Sequence, residues 1–86
     1  MYTIDVRRRA QRALDRLPAN DNKAVLNALR ELVNNPWPRS VEKVKGKSGW
    51  WRVRQGDYRI IYDIDDEQKL ITVLRIGHRR EVYRGL

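Results

Sequence analysis

Arg52 and Arg54 stand two apart in the stretch WWRVRQGDYRII, and Arg59 follows a turn signal. Side chains alternate across a β-strand, so Arg52 and Arg54 share one side with Trp50, while Trp51 and Val53 take the other. The same alternation sets Arg59 against Tyr58, Ile60 and Tyr62. The chain closes with RIGHRREVYRGL, residues 75–86, where arginines crowd around His78, the one histidine, and Tyr83. Arginine forks bind phosphate oxygens in pairs and hold their charge. Arg52, Arg54 and Arg59, joined by Arg75, are expected to form a concave basic surface, with Arg79 and Tyr83 at its rim. Like charges on neighbouring strands repel. A sheet face that keeps them together is expected to bind something, and a polyanion is what it suits.

The whole chain leans the same way. Nineteen Lys and Arg face eleven Asp and Glu, a net charge of +8. Such an excess predicts a polyanionic partner, nucleic acid above all, or an acidic protein. The length of 86 residues and the hydrophobic share of 41% allow one modest core, so a single domain over residues 1–86 is expected. The absence of cysteine excludes a disulfide framework and a cysteine-based zinc site. No carboxylate cluster or histidine pair suggests a metal site, and no cofactor is expected. The opening MYTIDVRRRA has no apolar core of signal-peptide length, and no apolar run is long enough to span a bilayer. A cytoplasmic protein with no membrane partner is the expectation.

The elements that must carry these residues follow from hydrophobic period. Tyr2–Val6 reads as a strand. Ala10, Ala13, Leu14 and Leu17 have helical spacing, with Arg7, Arg8, Arg9, Arg12 and Arg16 around them, and Pro18 ends that helix. Asn20–Asp21–Asn22 offers a side-chain cap for a second helix with the stripe Val25, Ala28, Leu29, Leu32 and Val33, which Asn34–Asn35–Pro36 stops. So short a link predicts an antiparallel helical hairpin. Residues 36–49 read as a loop, in which Lys43, Lys45 and Lys47 extend the positive charge. Trp37, between two prolines, is expected to cover one end of the core, and Trp51 to join the core. Three strands follow, Trp50–Arg54, Tyr58–Ile64 and Leu70–Ile76, with turns at Gln55–Gly56–Asp57 and Asp65–Gln68. On the last strand, alternation pairs Leu74 with Ile76 and Val73 with Arg75. Strands joined by short turns make an antiparallel meander. The predicted class is α+β, order β-α-α-β-β-β, with the helical hairpin packed on one face of an antiparallel sheet.

The segment VKGKSGWWRVRQGDYRIIYDI followed by VLRIGHRREVYR resembles the RelE branch of the RelE/ParE superfamily, the toxins of type II toxin–antitoxin systems. The likeness runs over almost the whole chain, element order included. It implies a RelE-like fold and a ribosome-dependent mRNA endoribonuclease acting in the A site. Cleavage would proceed by attack of the 2′-hydroxyl, giving a 2′,3′-cyclic phosphate and a 5′-hydroxyl without a metal. The family's functional positions fall on Arg52, Arg54, Arg59, Arg79 and Tyr83, with Lys45 helping to hold RNA. Lys43, Arg75 and His78 are added as RNA-binding positions beside the site. Well-known members carry lysine where this chain has Arg52 and Arg54, and arginine is a poor general base. The resemblance further implies a cognate antitoxin, the ribosome and mRNA as partners, and operator DNA for the toxin–antitoxin complex. Its ParE side poisons DNA gyrase instead. That reading stays open, as does a nucleic-acid-binding homologue that does not cleave.

Overall fold

The computed structural model describes all 86 residues, Met1–Leu86. The chain forms β1 (Thr3–Val6), α1 (Arg8–Asp15), α2 (Ala19–Asn34), β2 (Glu42–Lys43), β3 (Trp50–Gln55), β4 (Tyr58–Asp65) and β5 (Leu70–His78). This is the α+β class that the hydrophobic pattern predicts. One sheet holds all five strands in the order β1-β5-β4-β3-β2. β3, β4 and β5 are the antiparallel meander, and β1 lies parallel beside β5.

The helical hairpin buries its stripes against one sheet face. Ala10 and Leu14 of α1 and Val25, Leu29 and Leu32 of α2 meet Val53, Ile60, Tyr62, Ile71, Val73 and Ile76. Trp51 packs against this core as expected. Trp37 remains 41% exposed and sets its ring edge-on to Tyr2, 6.1 Å between centroids. The expected side-chain cap of α2 is not made. Pro18 occupies the cap position and has no side-chain acceptor. Asn22 Nδ2 instead donates 2.8 Å to the Leu14 carbonyl, closing the joint between the helices.

Two features lie outside the sequence pattern. The stretch 36–49 is not all loop, because Glu42–Lys43 forms a two-residue strand antiparallel to β3. And β5 carries a bulge. Ile61 pairs with Arg75 but Tyr62 pairs with Val73, which leaves Leu74 extra. A bulge reverses the alternation beyond it. Val73 and Arg75 therefore point to opposite faces, as do Leu74 and Ile76, contrary to the simple alternation. Ile76 joins the main core, and Leu74 joins a second, smaller one on the other face.

That smaller cluster fixes the chain's end. Val44, Ile61 and Val82 are buried there beneath Trp50, Leu74, Tyr83 and Leu86. After β5 the chain turns back, with the Glu81 and Val82 amides donating to the His78 carbonyl at 2.8 and 2.9 Å. The last eight residues thus lie on the sheet face opposite the helices.

Tyr62 ties the core to the α2–β2 connection. It is fully buried and its hydroxyl donates 2.7 Å to the Pro36 carbonyl. Tyr62→Phe leaves that carbonyl unpaired and is expected to cost about 1–3 kcal/mol. Burial also pushes the phenol's pKa above its ordinary value of 10.0. Above that pH the unfolded chain releases a proton that the folded chain keeps, so stability is full below pH 10 and falls as pH rises past it. Urea unfolding of the Phe variant at neutral pH and at about pH 10.5 should show a smaller alkaline loss than wild type. Equal losses would assign the effect to other groups.

Candidate active site

The β3–β4 register sets Arg54 opposite Arg59 and Arg52 opposite Ile61, so all three arginines share the face away from the helices. Two guanidiniums directly opposite each other would repel. Arg59 avoids this by folding back onto its hairpin turn. Its Nη1 donates to the Gly56 carbonyl at 3.1 Å and to the Tyr58 carbonyl at 2.9 Å. Gly56 holds φ +59°, a left-handed conformation that glycine adopts without strain. The turn that reverses the chain thus also aims Arg59. Arg54 stays exposed.

Arg52 is fixed from two sides. β2 places Glu42 opposite it, and Arg52 Nη2 lies 3.1 Å from Glu42 Oε2, the one ion pair of the molecule. Its Nη1 donates 2.9 Å to the Tyr83 hydroxyl. The Glu42 carboxylate, and after it the Tyr83 hydroxyl, hold the Arg52 pKa above its ordinary value. Arg52 therefore stays charged. Tyr83 comes from the C-terminal turn, and Arg79 starts that turn, its amide donating 2.8 Å to the Asp57 carbonyl. Ser40, Glu42, Arg52, Arg54, Arg59, Arg79 and Tyr83 together line one depression of about 210 Å³.

The remaining positions singled out by sequence lie elsewhere. Lys43 pairs with Trp51 and sets its ammonium 5.7 Å over that indole, so it follows Trp51 to the helix side of the sheet. Lys45 is exposed and does not line the depression. Arg75 is on the arginine face, yet its guanidinium turns into the chain's end, where Nη1 donates to the carbonyls of Val82, at 3.4 Å, and Arg84. Burial, and secondly the charge of Arg9, lower its pKa. Arg75 thus braces the segment that carries Tyr83. His78 pairs with Tyr58 across the β4–β5 ladder and meets its ring edge-on at 6.1 Å. Its Nδ1 accepts the Arg80 amide at 3.2 Å.

Glu42 is the residue that sequence reasoning passed over. Beside three lysines in a loop it reads as a solvated acid. The signal for it is register, since only the β2–β3 pairing shows that it faces Arg52. It is the one carboxylate lining the depression. No three of the His, Asp and Glu side chains converge as a metal site would require, and no helix is long and apolar enough to cross a membrane. What the arrangement can do is hold a phosphodiester between guanidiniums, with a carboxylate and a phenol at its margin.

Comparison with known proteins gives a consistent picture. The family model described as the ParE toxin of type II toxin–antitoxin systems, parDE, matches residues 4–83. Toxin RelG of Mycobacterium tuberculosis is 33% identical over 84 residues, 96% of this chain and 97% of that protein. Toxin RelE of the same organism is 31% identical over 84 residues, 96% of this chain and 87% of that protein. Among solved structures, the RelBE2 toxin–antitoxin complex of Mycobacterium tuberculosis contains a chain with TM-score 0.79 and 34% identity, covering 91% of this chain and 98% of that one. The archaeal RelE–RelB complex of Pyrococcus horikoshii contains one with TM-score 0.80 and 29% identity, covering 94% and 98%.

Proposed function

The chain belongs to the RelE/ParE family of type II toxins, on its RelE side, and from that premise we propose that it is an endoribonuclease that cuts mRNA in the ribosomal A site. The observation that carries the reading is the convergence of Arg52, Arg54, Arg59, Arg79 and Tyr83 with Glu42 on one depression. A gyrase poison acts by protein contact and has no need of guanidiniums converging on one phosphate-sized hollow.

The chemistry follows from the groups present. The 2′-hydroxyl attacks the adjacent phosphorus, a new P–O2′ bond forms and the P–O5′ bond breaks. The products are a 2′,3′-cyclic phosphate and a 5′-hydroxyl. Glu42 takes the proton of the 2′-hydroxyl, a task for which the always-charged arginines are unsuited. Arg59, with Arg52 and Arg54, holds the phosphoryl oxygens as negative charge builds on them. Arg79 lies toward the leaving 5′-oxygen. The Tyr83 hydroxyl accepts from Arg52, so its own proton is free to go to that oxygen. Water then exchanges the protons of Glu42 and Tyr83.

The depression is open and shallow, so the protein alone does little to force the 2′-oxygen in line with the leaving oxygen. In-line placement is worth several orders of magnitude. A ribosome that splays the A-site codon across this face supplies it. Two of the solved structures similar to this chain are of toxin–antitoxin complexes, RelBE2 and RelE–RelB. A cognate antitoxin is accordingly the proposed protein partner, with operator DNA a partner of the complex.

Primer extension on a defined mRNA in a reconstituted translating system tests the reading. Wild type should cut within the A-site codon, and Arg79→Ala should cut at least tenfold less. Intact mRNA with wild type, together with loss of gyrase supercoiling, would transfer the protein to the gyrase-poisoning alternative, the ParE side of the family.

A further inference from the structure

The β3–β4 turn supplies three backbone carbonyls to two arginines of the depression. Arg59 Nη1 donates to those of Gly56 and Tyr58, and the Arg79 amide donates 2.8 Å to that of Asp57. The Arg59 side chain makes no other hydrogen bond, so its fork travels with the turn. Arg52 is held elsewhere, by Glu42 and Tyr83. How these two guanidiniums stand to each other, and hence their joint grip on one phosphate, depends on where the turn sits.

What holds the turn lies on the other side of the sheet. Tyr58 alternates with Arg59, so it points toward the helices and packs against the main core. Its hydroxyl donates 3.2 Å to Asp21 Oδ2 in the first turn of α2. This is the one hydrogen bond between α2 and the turn. His78 meets the Tyr58 ring edge-on from the neighbouring strand, at 6.1 Å. Beside the bond, the turn stands clear of the helix. A hollow of about 270 Å³ separates them, lined by Ala24 and Val25 of α2 and by Gln55, Gly56 and Asp57. Close packing does not fix the turn there, and the tether does. Partial burial, and next the charge of Asp21, hold the phenol's pKa above its ordinary value of 10.0, so the hydroxyl stays a donor.

We propose that Asp21 and Tyr58 are positioning residues, whose hydrogen bond fixes the β3–β4 turn and through it Arg59 and the start of the C-terminal turn at Arg79. Neither side chain lines the depression. Their effect on cleavage rests on the nuclease reading above, whereas their hold on Arg59 does not. A fork displaced by about 1 Å still attracts phosphate through its charge, but it meets a developing oxyanion badly. The chemical step is therefore the one that feels the tether. Affinity for the substrate is a sum over many cations and stays.

The test uses Tyr58→Phe and Asp21→Ala, which break the tether, and Asp21→Asn, which keeps an acceptor for the phenol. Single-turnover A-site cleavage, run well below each variant's melting temperature, is expected to fall about tenfold in the first two. It should stay within about twofold of wild type in Asp21→Asn. Ribosome affinity should hold in all three. In an Arg59→Ala background, Tyr58→Phe should cost less than about twofold more, because the residue it acts through is gone. A second measurement needs no cleavage. Nitrogen-15 relaxation of the Arg59 Nε–H group should show its order parameter falling by about 0.2 in Tyr58→Phe and Asp21→Ala and unchanged in Asp21→Asn. An order parameter unmoved by Tyr58→Phe would overturn the proposal. So would an undiminished tenfold loss in the Arg59→Ala background, which would mark a general weakening of the fold. If wild type leaves mRNA intact while Arg59 loosens in Tyr58→Phe, the nuclease reading fails and the tether stands. If wild type cleaves and Tyr58→Phe cleaves as fast, the nuclease reading stands and the tether fails.

Discussion

Glu42→Gln is expected to lower the single-turnover rate of A-site cleavage by about 10²–10³-fold, the usual scale for removing a general base. The depression offers no other base. Arg52 is held in its charged form by Glu42 and Tyr83, and the remaining guanidiniums are permanently charged. Glutamine keeps the length of glutamate, and its amide oxygen still accepts from Arg52 Nη2. A Glu42 that only braces Arg52 would therefore cost less than about fivefold when replaced in this way, since a neutral acceptor loses roughly 1 kcal/mol against a charged one. The two roles also part in binding. Removing a negative charge from a phosphate-binding face should leave affinity for the ribosome unchanged or raise it. A large fall in rate with undiminished affinity identifies the base. A small fall in rate leaves Glu42 as Arg52's brace and returns proton abstraction to water.

Why Glu42 was invisible in sequence, while its neighbours were not, is a matter of range. Arg52, Arg54 and Arg59 lie on strands long enough for period two to show, and a Gly–Asp turn sets their register. Periodicity is a local signal and it reads local structure well. It found the helical stripes, the meander and the face shared by these arginines. β2 is two residues long, too short for any period. It exists because Glu42 and Lys43 find partners in Arg52 and Trp51, contacts that no window of sequence contains. The bulge at Leu74 is likewise set across the β4–β5 ladder, and it alone decides that Arg75 and Val73 part company.

Tyr83 makes both a chemical and a structural kind of contact. Its ring packs in the small cluster around Val44, Ile61 and Val82, while its hydroxyl meets Arg52. The small cluster thus places a phenol at the edge of the depression at little entropic cost, since the ring is ordered by burial. Arg75 adds to this from beneath, through the carbonyls of Val82 and Arg84. One short turn carries Arg79 and Tyr83 into the depression. Whatever displaces that turn disturbs both residues together.

Arg59→Ala is expected to be as damaging as loss of the base, about 10²–10³-fold in the single-turnover rate, the measured scale for deleting one preorganised donor to a developing oxyanion. Arg54 is free to follow solvent, and Arg52 spends two of its nitrogens on Glu42 and Tyr83. Arg59 differs from both. Its Nη1 is fixed by two backbone carbonyls, those of Gly56 and Tyr58, and the remaining N–H groups of the fork have no partner within the protein. A donor held by backbone needs no reorganisation as charge builds on the phosphate, which is where electrostatic catalysis gains most. Lysine carries the same charge but cannot satisfy two carbonyls and grip a phosphate with a rigid fork. Arg59→Lys should accordingly recover less than about a tenth of the lost rate, while ribosome affinity, a sum over many cations, moves little in either variant. Full recovery by lysine would show that charge alone is needed there, and the preorganised fork would lose its part in the mechanism.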